Sequence, residues 1–183
     1  MNFNFRSLEL EGALLVECNS YKDKRGSFSE VYRTDIFDEY NIGPFVQENY
    51  SCSVKNVIRG LHYQAKPMEV GKLVSCPHGQ IYDVIVDVRR DSETRGKWTA
   101  ILLENGNAML WIPPGFAHGF CVLSETANVM YRQTQYYRNT YDRNIRWNDS
   151  DIGIRWPIKD SIVSEKDARA PLFREVVERG DLL

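Results

Sequence analysis

The stretch Ile81-Tyr82-Asp83-Val84-Ile85-Val86-Asp87-Val88 decides the class of fold. One parity holds Ile81, Asp83, Ile85 and Asp87, and the other holds Tyr82, Val84, Val86 and Val88. A period of two is that of a strand, and the second parity reads as its apolar face. Working outward, β-type runs recur over 12–18, 26–33, 44–51, 56–64, 71–76, 80–88, 97–104, 108–113, 119–124 and 128–137, each bounded by turn residues. The turns Pro77-His78-Gly79 and Glu104-Asn105-Gly106-Asn107 fall where hairpins are expected to close, the second carrying the Asn-Gly pair that tolerates positive φ. Short strands at this spacing predict an antiparallel sandwich or barrel.

Helical signals are few. Thr34 is a candidate cap for a helix over 34–40, Ser164-Glu165-Lys166-Asp167 resembles a capping box with Asp at its last position, and Leu172, Phe173, Val176 and Val177 give one side of a helix stopped by Gly180. The expectation is a mainly β chain with a few short helices, mostly C-terminal. With 183 residues, 43% apolar, and no linker, repeat or low-complexity tract, residues 1–183 read as one domain with one core. Residues 1–21 form a leader that can supply an exchanged strand to a partner.

Twenty-three basic residues against twenty-five acidic ones leave a net charge of −2, without the positive excess of a general nucleic-acid binder. The longest uncharged apolar run, Ala108 to Ala117, is broken by two prolines and a glycine and falls far short of the roughly 20 residues that span a bilayer. Arg6 and Glu9 interrupt any signal-peptide core, so the expected location is the cytoplasm, away from membranes. Cys18, Cys52, Cys76 and Cys121 lack CxxC spacing and are expected to be buried free thiols.

Of the three histidines, His78 reads as a solvated turn residue. His62 lies in Arg59-Gly60-Leu61-His62-Tyr63-Gln64, where parity puts it with Gly60 and Gln64 and sends Arg59, Leu61 and Tyr63 to the other face. His118 closes Pro113-Pro114-Gly115-Phe116-Ala117-His118, whose Pro-x-Gly-x-x-His spacing resembles the second motif of the cupin jelly-roll barrels. The first cupin motif is incomplete: His62-x-Gln64 with Glu69 lacks its second histidine. His62, Glu69 and His118 are therefore the donor set of a metal-dependent alternative.

Arg59-Gly60-Leu61-His62-Tyr63-Gln64, Gly71-Lys72-Leu73-Val74, Tyr82 through Arg89, Pro114-Gly115-Phe116-Ala117-His118-Gly119-Phe120, Trp147-Asn148-Asp149 and Ser164-Glu165-Lys166-Asp167 together resemble the dTDP-4-dehydrorhamnose 3,5-epimerase family, in register over about residues 10 to 172. The resemblance implies a cupin-type antiparallel jelly-roll barrel, usually a homodimer, with no metal and no cofactor. It further implies inversion of C3 and C5, or of C3 alone, of dTDP-4-keto-6-deoxyglucose, in the deoxysugar biosynthesis that feeds dTDP-rhamnose and cell-surface polysaccharide.

A proton beside a ketone is acidic because the resulting enolate delocalises onto the keto oxygen. An epimerase therefore needs a base, a cation near that oxygen and a proton donor. By resemblance, His62 is the base, since an imidazole is largely unprotonated at neutral pH, and Asp167 is the acid that orients it. Lys72 stabilises the enolate, with Arg59 assisting it or holding phosphate, and Tyr131 is the proton donor. Tyr137 matches the residue that stacks on thymine. Arg25, Glu30, Gln47, Asn49, His118, Asp142 and Lys166 match further nucleotide-sugar contacts, some of them expected across a dimer interface. Glu48, Tyr50, the 65–70 loop and the 141–144 insert depart from the usual pattern and bear on substrate detail. The competing readings are a cupin nucleotide-sugar 3,4-ketoisomerase, the metal-dependent cupin, and a non-catalytic nucleotide-sugar binding module.

Overall fold

The computed structural model describes residues 2–106 and 108–183. Met1 of the leader and Asn107 of the Asn-Gly turn lie outside them. The described residues form thirteen strands: β1 (Phe3–Ser7), β2 (Leu14–Cys18), β3 (Tyr21–Asp23), β4 (Gly26–Phe28), β5 (Gln47–Val54), β6 (Ile58–Gln64), β7 (Lys72–His78), β8 (Gln80–Asp87), β9 (Trp98–Glu104), β10 (Ala108–Ile112), β11 (Phe116–Val122), β12 (Thr126–Gln133) and β13 (Asp142–Asn144). Three short α-helices accompany them: α1 (Thr34–Phe37), α2 (Glu165–Ala168) and α3 (Phe173–Glu178).

A six-stranded sheet runs β1-β2-β10-β7-β12-β5 and a five-stranded sheet runs β13-β6-β11-β8-β9, all antiparallel, while β3 and β4 form a separate hairpin. The turns after β7 and β9 do not close hairpins, because β7 and β10 belong to the first sheet and β8 and β9 to the second. Asn105 and Gly106 do adopt positive φ, 55° and 68°. Turn residues report local backbone freedom, whereas the sheet that the next strand joins is decided by what it buries. This crossing from sheet to sheet makes the antiparallel architecture a jelly-roll barrel.

Between the sheets lies a core that includes Leu15, Val74, Ile81, Ile85, Leu103, Leu110, Phe120 and Val129. The outer face of the five-stranded sheet is covered by the C-terminal segments, with Val84, Val86 and Val88 packed beside Ile145, Ile152, Val176 and Leu182. The apolar face of β8 is thus its outer one. The other face, carrying Asp83 and Asp87, points into the barrel, and both carboxylates are fully buried. Against the outer face of the six-stranded sheet, Phe37 and Ile42 pack on Val16, Leu73 and Trp111.

Local expectations hold in part. Ser164 caps α2, its hydroxyl accepting from the Asp167 amide at 3.1 Å. Gly180 ends α3 region with φ +72°, but Val177 is exposed while Val176 alone is buried in that helix. Arg33 stands at the cap position of α1, and the Thr34 hydroxyl donates to the Tyr32 hydroxyl instead. All four cysteines are free; Cys18, Cys76 and Cys121 are buried, but Cys52 is exposed, because it lies on the outward parity of the edge strand β5.

Candidate active site

On β5 the residues Gln47, Asn49, Ser51 and Ser53 are more covered than their neighbours Glu48, Tyr50, Cys52 and Val54. This polar inner row meets Lys72 at the start of β7, Tyr131 and Gln133 on β12, and His62 on β6 around one end of the barrel. The result is a cavity of about 440 Å³, lined by Arg59, His62, Lys72, His118, Tyr131, Lys166 and Asp167 among others. Its mouth continues past Asn49, Gln64, Tyr137 and Asp142.

Arg59 shares this cavity with His62, against the parity expectation. On β6, His62 pairs with His118 and Arg59 with Phe120, so two residues, Gly60 and Leu61, oppose the single Gly119 of β11. The extra residue is a bulge that inverts the alternation. Gly60 makes it possible: its φ is +125°, and a Cβ there would lie 2.5 Å from the Gly119 Cα and 2.7 Å from the His118 carbonyl oxygen. Arg59 Nε donates to the buried Ser53 hydroxyl at 3.0 Å, which aims the guanidinium along the wall.

Asp167 reaches the cavity from outside the barrel. Ile58 N–H donates to the Ile162 carbonyl, and Ile162 N–H to the Asn56 carbonyl, each at 2.9 Å, which clips the segment before α2 onto the start of β6. The first turn of α2 then sets Asp167 Oδ1 2.7 Å from His62 Nε2, while Oδ2 accepts from Gly60 N–H at 3.3 Å. Burial works to raise the Asp167 pKa, but the bonds from His62 and Gly60 outweigh it and hold the carboxyl below its ordinary value. The His62 side chain is 33% exposed and Asp167 5%, so the imidazole stands at the cavity wall with its acid behind it. With Nε2 engaged, Nδ1 is the nitrogen left to exchange a proton.

Lys72 is 8% exposed and donates to the His62 carbonyl at 3.3 Å. Burial lowers its pKa to about 8, partly opposed by Asp142 and Asp83. His118 forms a second buried pair, its Nε2 2.7 Å from Asp83 Oδ1, and burial lowers its pKa more than Asp83 raises it. Asp83 Oδ2 is buried without a hydrogen-bond partner among the described residues. At the mouth, Lys166 is ion-paired with Asp142, and the Tyr137 hydroxyl donates to Asp142 at 3.4 Å and to Asn139 at 3.3 Å. Gln47 Oε1 accepts from the Tyr137 amide at 2.9 Å, and its amide group donates to Asn49 at 3.1 Å.

Eleven of the thirteen residues singled out from the sequence thus gather here. Arg25 and Glu30 do not. Arg25 is exposed on the β3–β4 hairpin and paired with Asp23 at 2.6 Å, while Glu30 accepts from Asn2 at 2.8 Å. The donor set His62, Glu69 and His118 is not assembled, since Glu69 lines a different cavity with Glu9, Glu11 and Arg89. Among the described residues no group of three or more His, Cys, Asp or Glu is placed to hold a metal ion. Sequence reasoning missed the supporting polar residues Ser53, Asp83 and Gln64; the polar parity of β5 and the acids on the inward parity of β8 were the available signals.

A jelly-roll barrel whose inner end presents an imidazole on a buried acid, a buried lysine and a tyrosine belongs with the cupin-type isomerases. The chain is a member of the dTDP-4-dehydrorhamnose 3,5-epimerase family, whose model matches residues 7–175. A curated member from Shigella flexneri is 42% identical over 174 residues, covering 93% of this chain and 96% of that one. The crystal structure of dTDP-6-deoxy-D-glucose-3,5-epimerase from Legionella pneumophila Philadelphia 1, in complex with dTDP-4-keto-L-rhamnose, superimposes with a TM-score of 0.93 at 38% identity, covering 98% and 97% of the two chains. The 3'-monoepimerase from Streptomyces bikiniensis in complex with dTDP-quinovose gives a TM-score of 0.90 at 29% identity, over 96% and 90%.

Proposed function

We propose that this epimerase inverts C3 and then C5 of dTDP-4-keto-6-deoxyglucose through enolate intermediates. The observation that carries the reading is the His62–Asp167 pair at 2.7 Å on the wall of a cavity that also holds the buried Lys72. His62 Nδ1 takes the proton from carbon, and Asp167 fixes the tautomer and stabilises the imidazolium that forms. The Lys72 ammonium lies against the C4 oxygen as charge develops there, with His118, held by Asp83, as a fixed part of the wall beside it. Tyr131 returns a proton to the opposite face of the sugar. Neither step consumes a cofactor, because the electrons that leave the C–H bond return to a new one.

The nucleotide occupies the mouth. Tyr137 stacks on the thymine, Gln47 and Asn49 meet its polar edge, and Arg59 and Lys166 take the diphosphate. The protein works as a single-domain homodimer in the cytoplasm. Its β3–β4 hairpin, with Phe28 71% and Tyr21 56% exposed, is the element suited to carry Arg25 and Glu30 toward a partner's cavity. Residues 3–18 pair within their own chain through β1 and β2, which favours this hairpin over the leader as the exchanged element. No helix among the described residues is long and apolar enough to cross a membrane.

The likeness to a 3'-monoepimerase supports a second reading, inversion at C3 alone. Chelator-treated protein incubated with the keto sugar in deuterated water, followed by proton NMR, tests both. Deuterium at C3 and C5 is the expected result, deuterium at C3 alone selects the second reading, and no exchange overturns both.

A further inference from the structure

Gln64 ends β6 two residues beyond His62 and is 4% exposed. Its carboxamide spends both donors and its acceptor on the backbone of the two loops at the cavity mouth. Nε2 donates to the Met68 carbonyl at 2.8 Å and the Tyr136 carbonyl at 3.2 Å, and Oε1 accepts from Arg138 N–H at 2.6 Å. Between those last two anchors stands Tyr137, whose own N–H donates to Gln47 Oε1 at 2.9 Å. Residues 136–138 lie in no strand, so carboxamide side chains hold them where a sheet ladder would otherwise.

We propose that Gln64 is the positioning residue that fixes the distance between the reacting carbon and the nucleotide base. It locks the Tyr137 loop and the 65–70 loop to the strand that carries His62. The inference rests on the reading of Tyr137 as the base-stacking residue. One strand then registers both ends of the substrate: His62 at the sugar and, two residues on, the brace that sets the stacking ring. Removing the buried amide leaves two carbonyls and an N–H unsatisfied, and the loop relaxes toward water to recover them. The ring loses its preset position, and that loss is felt in binding before it is felt in chemistry.

The test compares wild type, Gln64→Leu, Gln64→Glu, Tyr137→Ala and the Gln64→Leu/Tyr137→Ala double variant, by calorimetric titration with dTDP and by steady-state epimerisation. Both Gln64 variants are expected to weaken dTDP binding and raise KM about tenfold, with kcat changing by less than about threefold. Gln64→Glu keeps the acceptor for Arg138 N–H while turning the two donors into acceptors facing carbonyls, so it carries the test if Leu at this position prevents folding. In the Tyr137→Ala background, Gln64→Leu is expected to add nothing, since a residue that acts through another is not additive with it. Unchanged dTDP affinity in a folded Gln64 variant, a loss confined to kcat, or additivity with Tyr137→Ala would overturn the inference while leaving the proposed reaction standing. Wild-type protein that fails to bind dTDP would overturn both.

Discussion

Two His–Asp pairs sit in the same barrel end with the same 2.7 Å contact, and they are chemically different objects. His62 lies at the cavity wall with its acid brought in from α2, and Asp167 is satisfied on both oxygens. His118 and Asp83 come from adjacent strands of one sheet, are 6% and 0% exposed in their side chains, and leave Asp83 Oδ2 without a partner among the described residues. Burial pushes His118 toward its neutral form, whose one N–H is spent on Asp83. The same two residue types therefore divide the work by environment. The outer pair suits proton transfer, and the inner one suits a fixed wall.

That division is open to direct attack. Replacing His62 with Ala should lower deuterium exchange into the keto sugar by about 10³-fold; NMR rates within tenfold of wild type would remove His62 from the mechanism. His118→Phe should instead strike stability, by about 3 kcal/mol in urea unfolding, because it strands a buried carboxylate. Adding Asp83→Leu should recover much of that loss, and a double variant less stable than the single one would contradict the interpretation. Asp167→Asn should keep an acceptor for Gly60 N–H yet slow exchange by about 10²-fold, with a melting temperature close to wild type.

The pH responses of the two regions should also separate. With Lys72 near a pKa of about 8, the cation proposed for the keto oxygen is lost as pH rises through that value. The kcat/KM profile should fall above pH 8, reaching about tenfold below its plateau one unit past the midpoint, and Lys72→Met should lack this limb altogether. For His118 the folded pKa lies below that of the unfolded chain, so the unfolded state binds the extra proton as pH falls below about 6.5. Stability should decline in that direction, and the decline should be shallower in His118→Phe, as read from urea midpoints at pH 7 and pH 5.

The strands were legible because period-two patterning survives translation into a barrel, and the cavity residues were legible because their motifs stand in register along the chain. Three things were not. Alternation predicts which residues share a face but not whether that face looks in or out; on β8 both faces are buried, and the one carrying Asp83 and Asp87 is the interior. Parity also fails across a bulge, which is why Arg59 was assigned to the wrong side of β6. Partners distant in sequence leave no local trace: Gln64 reaches residue 138, and Asp167 lies 105 positions from the histidine it holds. Arg25 and Glu30 resemble ligand residues by motif, yet the fold of this chain leaves both away from its own cavity.

The facing glycines of β6 and β11 impose a limit on anyone who would remodel this protein. A Cβ at Gly60 would meet the Gly119 Cα at 2.5 Å, and one at Gly119 would meet the Arg59 carbonyl oxygen at 2.8 Å. Each position forbids a side chain on its own account, so no compensating change at the other can rescue it. A mutagenesis library aimed at new nucleotides can spend its diversity on Gln47, Asn49 and Tyr137 at the rim. It has to leave 60 and 119 out of the randomised set, because a single methyl group there would shift the seam that turns Arg59 and His62 toward one cavity.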